Sequence, residues 1–463
     1  MHAVPPRSRT WAWVLVAALA ICLAPGRMAL TDPDEARYAQ TSREMLRGGD
    51  LLVPRFDGAP RLSKPPLIHW AQAAAFLVLG ESELSARLPS LLAALATLFL
   101  TAWWAERRLG AGTGGPAAMA LSTCLIFFVC ARLAIIDMLL CLFVTAALLA
   151  WEAATAPDAR RHRALAWAGA AAIGLAALAK GPVGPALAAS IVAVCALAAR
   201  RRITPRGAAM AAAGILAIAG PWVIALTHRV GAGILLDLMR REMVERSVFG
   251  LDHPRPLYWY ALTFWPAFLP WSIAVPVALA WRMRAGARPK GADLLLLCWV
   301  GVTLVFFSLP ADKNDAWLLP AAPALALLAA RWLPRRAVLA VSALSAALLA
   351  AAALWLSEPI ARDRSLRDLV VSARLSEGGE VIAYEVYRPS LVWYSGHPVR
   401  WAASGRELRR LLDELPGDAP VAIVMQERRL PKLRDGPRAI LKGFRPAGSQ
   451  AGLVVMIRAA QPP

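Results

Sequence analysis

Residues 32–70, DPDEARYAQTSREMLRGGDLLVPRFDGAPRLSKPPLIHW, form the first long polar segment of the chain. The segment follows an apolar stretch at residues 11–30, and most of the chain beyond it is apolar again. Acids, arginines, a lysine and aromatic residues are concentrated here, directly after a stretch long enough to cross a bilayer. Polar groups in this position favour the catalytic loop of a membrane-embedded enzyme over a simple connection.

The composition is that of a polytopic membrane protein. Of the 463 residues, 58% are hydrophobic, whereas soluble domains average about 45–50%. The apolar residues gather in runs of about 17–25 residues, the length that crosses a hydrocarbon core as a helix. Residues 66–79 are too short to span comfortably and predict a helix that lies in the interface. We predict about eleven transmembrane helices, at residues 11–30, 84–104, 116–131, 138–151, 165–179, 185–199, 207–227, 257–281, 292–310, 317–333 and 337–356.

The net charge of +20 is distributed as in a membrane protein and does not indicate nucleic-acid binding. Basic residues cluster in every second short loop, which is typical of cytoplasmic loops, and no basic aromatic surface for single strands is evident. The pattern predicts a multi-pass protein of the inner membrane with a cytoplasmic amino terminus. It also favours a retained signal-anchor over a cleaved signal peptide. Examples of these clusters are Arg107 and Arg108, Arg160 and Arg161, and Arg335 and Arg336.

The last hundred residues change character, because charges become frequent and no spanning run remains. β-rich pieces alternate with a helical one, which predicts a small α/β domain on the extracytoplasmic side. We therefore predict an all-α transmembrane domain at 1–358, with an outer loop at 31–83, followed by the α/β domain at 359–463. The pieces lie at residues 381–387, 405–415, 421–425 and 453–457.

The start of the outer loop predicts a helix. Asp32 is placed to cap it, Pro33 suits its first turn, and Gly48 and Gly49 are expected to end it. Asp34, Arg37, Tyr38 and Thr41 recur at i, i+3, i+4 and i+7, so they share one face of this helix.

Asp34 and Glu35 allow two interpretations. Acids in a first turn stabilise the helix dipole, whereas a carboxylate at this position can also serve as a general base. A carboxylate beside the Arg37 guanidinium, with Lys64 further along, suits a hydroxyl acceptor and a phosphate leaving group.

Three of the six lysines map to the outer ends of predicted spans or to outer loops, against the charge bias of the chain. Such cations can extend to headgroups, or they can face a cavity that holds an anionic lipid phosphate. Both interpretations stay open for Lys180 and Lys313, and the third residue is Lys64.

Metal binding has little support in the sequence. Asp32-Pro33-Asp34 matches a short two-acid pattern, but no cluster of oxygen ligands accompanies it. The six cysteines all lie in apolar runs without metal-ligand spacing, which predicts small buried hydrophobes. We therefore expect no required cofactor, and a divalent metal is not favoured. Arg132 and Asp137 lie at an outer turn and are candidates to pair with each other.

The outer loop resembles that of a known family. The runs PDEARYAQTSREML, GGDLLVPRFDG and LSKPPLIHW are similar to the first outer loop of GT-C glycosyltransferases of the protein mannosyltransferase superfamily (glycosyltransferase family 39). The likeness is strongest to the bacterial 4-amino-4-deoxy-L-arabinose transferase branch. Further matches, in order along the chain, are LAKGPVGP, REMVER, FLPWS, LLPAAPALALL and YRPSLVWYSGHPV.

The resemblance implies inverting transfer of a sugar from an undecaprenyl-phosphate donor to lipid A, another glycan or a protein. Asp34 matches the catalytic acid of the family, Arg37 and Lys64 match the residues that bind the lipid phosphate, and Asp137 matches a further active-site acid. Glu35, Tyr38, Lys180 and Lys313 are expected to support the site. The chain departs from the family where Ser63 replaces a frequent acid, and where residues 313–317, KNDAW, contain no tyrosine.

Two other classes of protein would use outer-leaflet cations and many spans. A transporter of lipid-linked sugars is one, although such proteins tend to have pseudo-symmetric halves, which this sequence does not show. A non-catalytic lipid-binding scaffold is the other. A protein O-mannosyltransferase is an alternative within the same superfamily.

Overall fold

The structure is a computed structural model that describes residues 7–155, 162–250, 253–416, 419–434, 440–441 and 443–458. The predicted cytoplasmic residues Arg160 and Arg161 lie outside these ranges. The chain forms two compact units. Unit 1 contains Met1–Pro25, Leu62–Ala71 and Arg87–Ala353, and unit 2 contains Gly26–Arg61, Gln72–Ala86 and Leu354–Pro463. The predicted domain boundary at residue 358 stays a prediction, and the first outer segment is divided between the two units.

Helices occupy the apolar runs, as predicted for an all-α membrane fold. Backbone groups in hydrocarbon have no water partners, so a helix must satisfy them within one segment. The helices up to residue 355 are Arg7–Ile21, Asp34–Gly48, Leu67–Leu79, Glu83–Arg108, Gly114–Ser122, Leu125–Ala131, Asp137–Thr155, His162–Lys180, Val183–Ala198, Pro205–Ile218, Gly220–Val230, Ala232–Met239, Arg246–Val248, Trp259–Ala267, Trp271–Arg284, Ala292–Ser308, Ala322–Trp332 and Arg335–Trp355. Arg240–Glu245 form a π-helical turn, and Asp315–Ala321 form a 3-10 helix.

The predicted spans differ in regularity. Among the described residues, four helices are long and apolar enough to cross a membrane alone, and up to seven spans result if each bent helix pair is one span. Three other predicted spans fall on shorter apolar helices, and the span at 317–333 begins with the 3-10 helix. The bent pairs are Gly114–Ser122 with Leu125–Ala131 (72°), Pro205–Ile218 with Gly220–Val230 (46°), and Trp259–Ala267 with Trp271–Arg284 (103°).

The bend of 103° has a chemical cause. Pro266 and Pro270 lie at the break, and proline supplies no amide hydrogen for the helical ladder. The Leu67–Leu79 helix matches the prediction for 66–79, and its place in the interface stays a prediction.

Unit 1 contains a close approach of two helices at glycine. A Cβ atom added at Gly174 would lie 2.3 Å from the carbonyl oxygen of Gly214. One added at Gly214 would lie 2.0 Å from the carbonyl oxygen of Ala170. The His162–Lys180 and Pro205–Ile218 helices therefore pack backbone against backbone, which is the usual role of small residues between membrane helices.

Unit 2 contains an α/β fold, as predicted for the end of the chain. A short antiparallel hairpin of β1 (Arg55–Phe56) and β2 (Ala59–Pro60) precedes it. The other strands are β3 (Glu380–Tyr384), β4 (Val399–Ala402), β5 (Val421–Gln426), β6 (Arg445–Gln450) and β7 (Leu453–Arg458). They form one sheet in the order β4-β3-β5-β7-β6, in which β3 runs parallel to β4 and β5, and β7 runs antiparallel to β5 and β6.

Both faces of this sheet are buried. Along β3, Val381 and Ala383 face one apolar cluster and Ile382 and Tyr384 face another, because successive side chains alternate across a strand. The helices of this region are Ser357–Arg364, Arg367–Ser372, Pro389–Ser395, Gly405–Asp413 and Leu430–Arg434, with a 3-10 turn at Glu427–Arg429.

The outer helix begins two residues later than its predicted cap. It covers Asp34–Gly48 and ends at Gly49, whose left-handed backbone (φ 68°) is the geometry that glycine adopts without strain. The prediction that Asp32 caps the helix is wrong. The Asp32 carboxylate instead accepts hydrogen bonds from the amide and hydroxyl of Ser390, at 2.7 and 2.5 Å. These bonds tie the start of the outer segment to the Pro389–Ser395 helix within unit 2.

We predict that Gly214→Ala destabilises the protein by about 1–3 kcal/mol, because the added methyl group meets backbone atoms and forces the helices apart. Thermal unfolding of purified protein in detergent measures this change. Gly301→Ala is the matched control, since a Cβ atom added there meets nothing within 4 Å. Equal effects of the two substitutions would contradict the assigned packing.

We also predict that the titration of Asp32 increases the free energy of unfolding as the pH falls from about 6 to about 4. Burial raises the pKa of Asp32 to about 6, against the opposing effects of Ser390, Arg388 and Arg37. The folded state therefore binds a proton at a pH where the unfolded carboxyl, with its pKa near 3.8, has released it. Asp32→Asn cannot titrate, so unfolding measured across this range should be less dependent on pH than in the unsubstituted protein. An unchanged dependence would contradict the assignment.

Candidate functional site

The predicted site residues fall into two groups, one in each unit. Unit 2 contains Asp34, Glu35, Arg37 and Tyr38, all on the first turns of the outer helix. Unit 1 contains Lys64, Asp137, Lys180 and Lys313.

Asp34 and Arg37 form an ion pair at the start of the outer helix. The Arg37 Nη2 atom lies 2.5 Å from Asp34 Oδ1, and both side chains are partly accessible to solvent. Thr41 donates to the carbonyl oxygen of Arg37 at 2.8 Å, so these residues follow one face as predicted. An accessible carboxylate held by a guanidinium can orient an acceptor or take up its proton.

Glu35 lies on a different side of the helix from this pair. Its buried carboxylate accepts hydrogen bonds from the amide and hydroxyl of Thr31, at 3.1 and 2.8 Å. These bonds satisfy groups ahead of the first helical turn, which is how a capping glutamate stabilises a helix start.

Burial and charge act in opposite directions on Arg37. Burial lowers the pKa of its guanidinium, but Asp34, Tyr387 and Tyr38 raise it, and the net pKa lies above the usual value. The group is therefore a permanent cation. Tyr387 follows strand β3 and belongs to the YRPSLVWYSGHPV run, so a tyrosine of the α/β region lies within electrostatic range of the outer helix.

Lys64 is the centre of a second charged group, in unit 1. Its ammonium lies 2.9 Å from Glu242 Oε2, within the π-helical turn Arg240–Glu245. Arg246 contacts both Glu242, at 3.4 Å, and the buried Asp312, at 3.5 Å. Single π-turns inside helices are frequent at functional sites.

The pKa of Lys64 is lower than usual. Burial lowers it, Glu242 raises it, and the like charges of Arg246 and Lys180 lower it further. Several cations therefore share this region of unit 1, which is the electrostatic setting that an anionic ligand favours.

Asp137 and Lys180 form a buried pair. Lys180 Nζ lies 2.5 Å from Asp137 Oδ1 and 5.2 Å from the centre of the Trp317 ring. The alternative that Asp137 pairs with Arg132 is wrong, because Arg132 donates to the carbonyl oxygens of Ile21 and Leu23.

Lys313 is buried and bonds to the backbone. Its ammonium donates to the carbonyl oxygens of Pro310, at 2.5 Å, and Arg255, at 3.3 Å. The adjacent Asn314 exchanges hydrogen bonds with the hydroxyl of Tyr260. A tyrosine therefore packs beside the KNDAW segment although that segment contains none.

Two groups of residues were missed by the sequence reasoning. Glu242 and Arg246 lie in the REMVER run, whose family likeness was the available signal. Arg61 lies three residues before Lys64, and its guanidinium lies 5.3 Å from the centre of the Tyr38 ring. No local pattern distinguishes Arg61 from the many other arginines of this chain.

Asp32 and Asp34 do not converge as a metal-binding pair would. Asp32 bonds to Ser390 and Asp34 bonds to Arg37. Within the described ranges, no group of three or more His, Cys, Asp or Glu side chains has the geometry of a metal site.

Comparison with known proteins shows what the chain is similar to. Residues 63–224 match a family described as dolichyl-phosphate-mannose-protein mannosyltransferase. A relative from Pectobacterium carotovorum, named undecaprenyl phosphate-alpha-4-amino-4-deoxy-L-arabinose arabinosyl transferase, is 30% identical over 331 residues, which cover 69% of this chain and 58% of the relative. An uncharacterised protein of Aquifex aeolicus is 29% identical over 322 residues, which cover 69% of this chain and 63% of that protein. The chain thus spans about three fifths of the length of these curated relatives.

A solved structure shares the fold. The crystal structure of ArnT from Cupriavidus metallidurans bound to undecaprenyl phosphate superposes with a TM-score of 0.82, covering 99% of this chain and 100% of that one, at 21% identity. The multi-pass helical architecture and the small C-terminal sheet are therefore those of the GT-C fold. The sequence matches show that the chain belongs to the GT-C protein mannosyltransferase superfamily (family 39), in the branch that contains the aminoarabinose transferases.

Proposed function

We propose that this protein is an inverting glycosyltransferase of the inner membrane. It moves a sugar from an undecaprenyl-phosphate donor to lipid A at the outer membrane face. The names of the curated relatives support this donor and this reaction class. The observation that carries the proposal is the Asp34–Arg37 pair, a partly accessible carboxylate held beside a permanent cation.

The reaction forms one bond and breaks one. An acceptor oxygen attacks the anomeric carbon of the donor sugar, and the bond from that carbon to the phosphate oxygen breaks. The electron pair leaves with the polyprenyl phosphate, whose negative charge grows in the transition state. A role in binding this phosphate is proposed for Arg37 and, separately, for Lys64, as the family resemblance implies for each, because fixed cations stabilise charge that develops during the reaction.

Asp34 has a role that depends on the acceptor. A hydroxyl acceptor loses a proton during attack, and Asp34 would accept it as a general base. A phosphate acceptor on lipid A is already ionised, so Asp34 would act by positioning the acceptor. Lys180 and Asp137 are assigned a supporting role. Their opposite charges compensate each other, so that both side chains can be buried among apolar residues.

A second acceptor is supported by the matched family. Its description names a protein mannosyltransferase, and a protein acceptor would present a hydroxyl group. The two acceptors differ in whether a proton must be removed, so the same substitution distinguishes them.

We predict that Asp34→Asn lowers the turnover number about 10²- to 10⁴-fold if the acceptor is a hydroxyl. A phosphate acceptor should lose less, because no base is removed. The amide oxygen can still accept from Arg37, so the fold is expected to persist. Sugar transfer is measured in membranes with the folded protein quantified, and both lipid A and a hydroxyl peptide are supplied.

The matched control is Asp50→Asn. Asp50 lies in the same outer segment and accepts from the amides of Leu52 and Val53, which an asparagine oxygen can also do. Turnover by Asp34→Asn equal to that of the control would refute the role of Asp34.

We further predict that Lys64→Gln raises the KM for the donor about 10- to 100-fold, because a charged hydrogen bond to phosphate is lost. Lys290→Gln, at an exposed loop lysine, is the control. A purely structural role of Lys64 would be to neutralise Glu242. In that case the double variant Lys64→Gln with Glu242→Gln would restore the KM. A phosphate-binding role predicts that it does not, and full restoration would contradict our assignment.

A further inference from the structure

Unit 2 brings a second arginine to the Asp34–Arg37 pair. The Arg61 guanidinium stacks on the ring of Tyr38, one turn along the same helix face, with 5.3 Å between the cationic carbon and the ring centre. Arg61 also interacts electrostatically with Arg37, Tyr387 and Asp34. Arg37 and Arg61 therefore share the Asp34 carboxylate, and the Asp32 carboxylate also lies within electrostatic range of Arg37 and of a third arginine, Arg388.

Arg61 and Arg37 each have a buried N–H group that lacks a hydrogen-bond acceptor among the described residues. Within the part of the chain that the structure describes, Arg61 Nη1 and Arg37 Nε are inaccessible to solvent and have no hydrogen-bond partner. Several other arginines, including Arg429 and Arg458, likewise have a buried Nε atom without a hydrogen-bond partner, so such donors indicate an anion only together with like charges beside them. A buried donor without an acceptor is destabilising, and more so when it is charged. An anion bound to both donors would supply the missing hydrogen-bond acceptors and balance the excess positive charge.

The pKa of Arg61 is lower than the usual value for arginine. Burial lowers the pKa of Arg61, and the neighbouring Arg37 lowers it further, although Tyr38, Tyr387 and Asp34 act in the opposite direction. A phosphate oxygen near both guanidinium groups would remove this unfavourable interaction.

The backbone that carries Arg61 is held rigidly. The amide of Arg61 donates to the carbonyl oxygen of Pro54 at 2.7 Å and closes the β1–β2 hairpin. The Glu44 carboxylate accepts from the amides of Asp57 and Gly58 at the hairpin turn, at 2.8 and 3.0 Å. The hairpin is thereby bonded to the outer helix that also carries Arg37.

The hairpin is also bonded to the sheet of unit 2. The Asp57 carboxylate accepts from the amide of Val399, at 3.1 Å, and from the indole of Trp401, at 2.6 Å. Preorganisation of this kind is typical of residues that bind a ligand, because it avoids loss of entropy on binding.

A purely structural role explains less. The cation–π contact with Tyr38 is stabilising, but it needs no unbonded, buried N–H group. A guanidinium carries a planar fork of N–H donors that matches phosphate oxygens, and contact with an aromatic ring does not use up these donors.

We propose that Arg61 is a phosphate-binding residue that acts with Arg37. This inference rests on the proposed function and adds a second guanidinium to its phosphate site. The phosphate belongs either to the polyprenyl-phosphate donor or to a phosphorylated acceptor such as lipid A. Both sources present the same chemistry, and the experiment below distinguishes them.

The test compares Arg61→Gln with Arg55→Gln in the full-length protein in lipid nanodiscs. Arg55 lies in the same hairpin, is exposed and donates to the carbonyl oxygen of Gly58, so it is a matched control for the loss of one positive charge. Binding of undecaprenyl phosphate is measured directly, and the KM values for donor and for lipid A are measured in transfer assays. Arg61→Lys keeps the charge but removes the fork of donors, and thermal unfolding of each variant reports on folding.

A donor phosphate predicts that Arg61→Gln weakens binding of undecaprenyl phosphate about 10- to 100-fold, with Arg61→Lys between the two. An acceptor phosphate predicts unchanged undecaprenyl phosphate binding and a KM for lipid A raised by a similar factor. Either result supports the inference. It is overturned if Arg61→Gln matches Arg55→Gln in all of these measurements, or if its only effect is a lower unfolding temperature.

The proposed function and this inference fail in different ways. Absence of sugar transfer by the unsubstituted protein would refute the function, whereas the binding measurement would still test Arg61.

Discussion

A buried charge in this protein is compensated by an opposite charge or, as at Lys313, by backbone carbonyl oxygens. Lys180 and Asp137 approach to 2.5 Å, with only 8% and 11% of their side chains exposed. Removing one partner from such a pair costs about 3–5 kcal/mol, because the remaining charge is left uncompensated. In unit 1, Asp293 likewise accepts from Arg331 and from the indole of Trp332. This constraint decides where ionisable side chains can lie in a chain that is 58% hydrophobic.

The same constraint identifies where the protein departs from it. Three arginines of unit 2, Arg37, Arg61 and Arg388, interact with two carboxylates, Asp34 and Asp32, and Arg37 and Arg61 each have a buried N–H group without an acceptor among the described residues. An excess of positive charge in a rigid setting is more typical of a site than of a scaffold. The cations around Lys64 in unit 1 are in part compensated by Glu242 and Asp312.

Adjacent acids in the outer segment serve different purposes because their partners differ. Asp32 bonds to Ser390 and holds the segment in unit 2, Glu35 bonds to Thr31 at the helix start, and Asp34 pairs with Arg37 on an accessible face. Asp34 combines accessibility with an ion-paired cation, which is what acceptor positioning or proton transfer requires. Whether a proton moves depends on the acceptor, since a hydroxyl must lose one and a phosphate need not.

Local patterns in the sequence determined the elements of this protein. Apolar run length predicted the membrane helices, β-rich composition predicted strands β3, β5 and β7, and a glycine pair predicted the end of the outer helix, because each depends on residues close together in the chain. The bends within three spans escaped this reasoning, since run length does not report a break in a helix.

Ion pairs and hydrogen bonds between residues far apart in the chain are visible only in the tertiary structure. Asp137 bonds to Lys180, 43 residues away, and not to the nearby Arg132. Asp32 bonds to Ser390, 358 residues away, and so does not cap the helix it precedes. Arg61 lies over Tyr38 because its hairpin is hydrogen-bonded to Glu44 and, through Asp57, to Trp401. Such pairings follow from how helices and strands pack, because burial brings together charges that no local spacing relates.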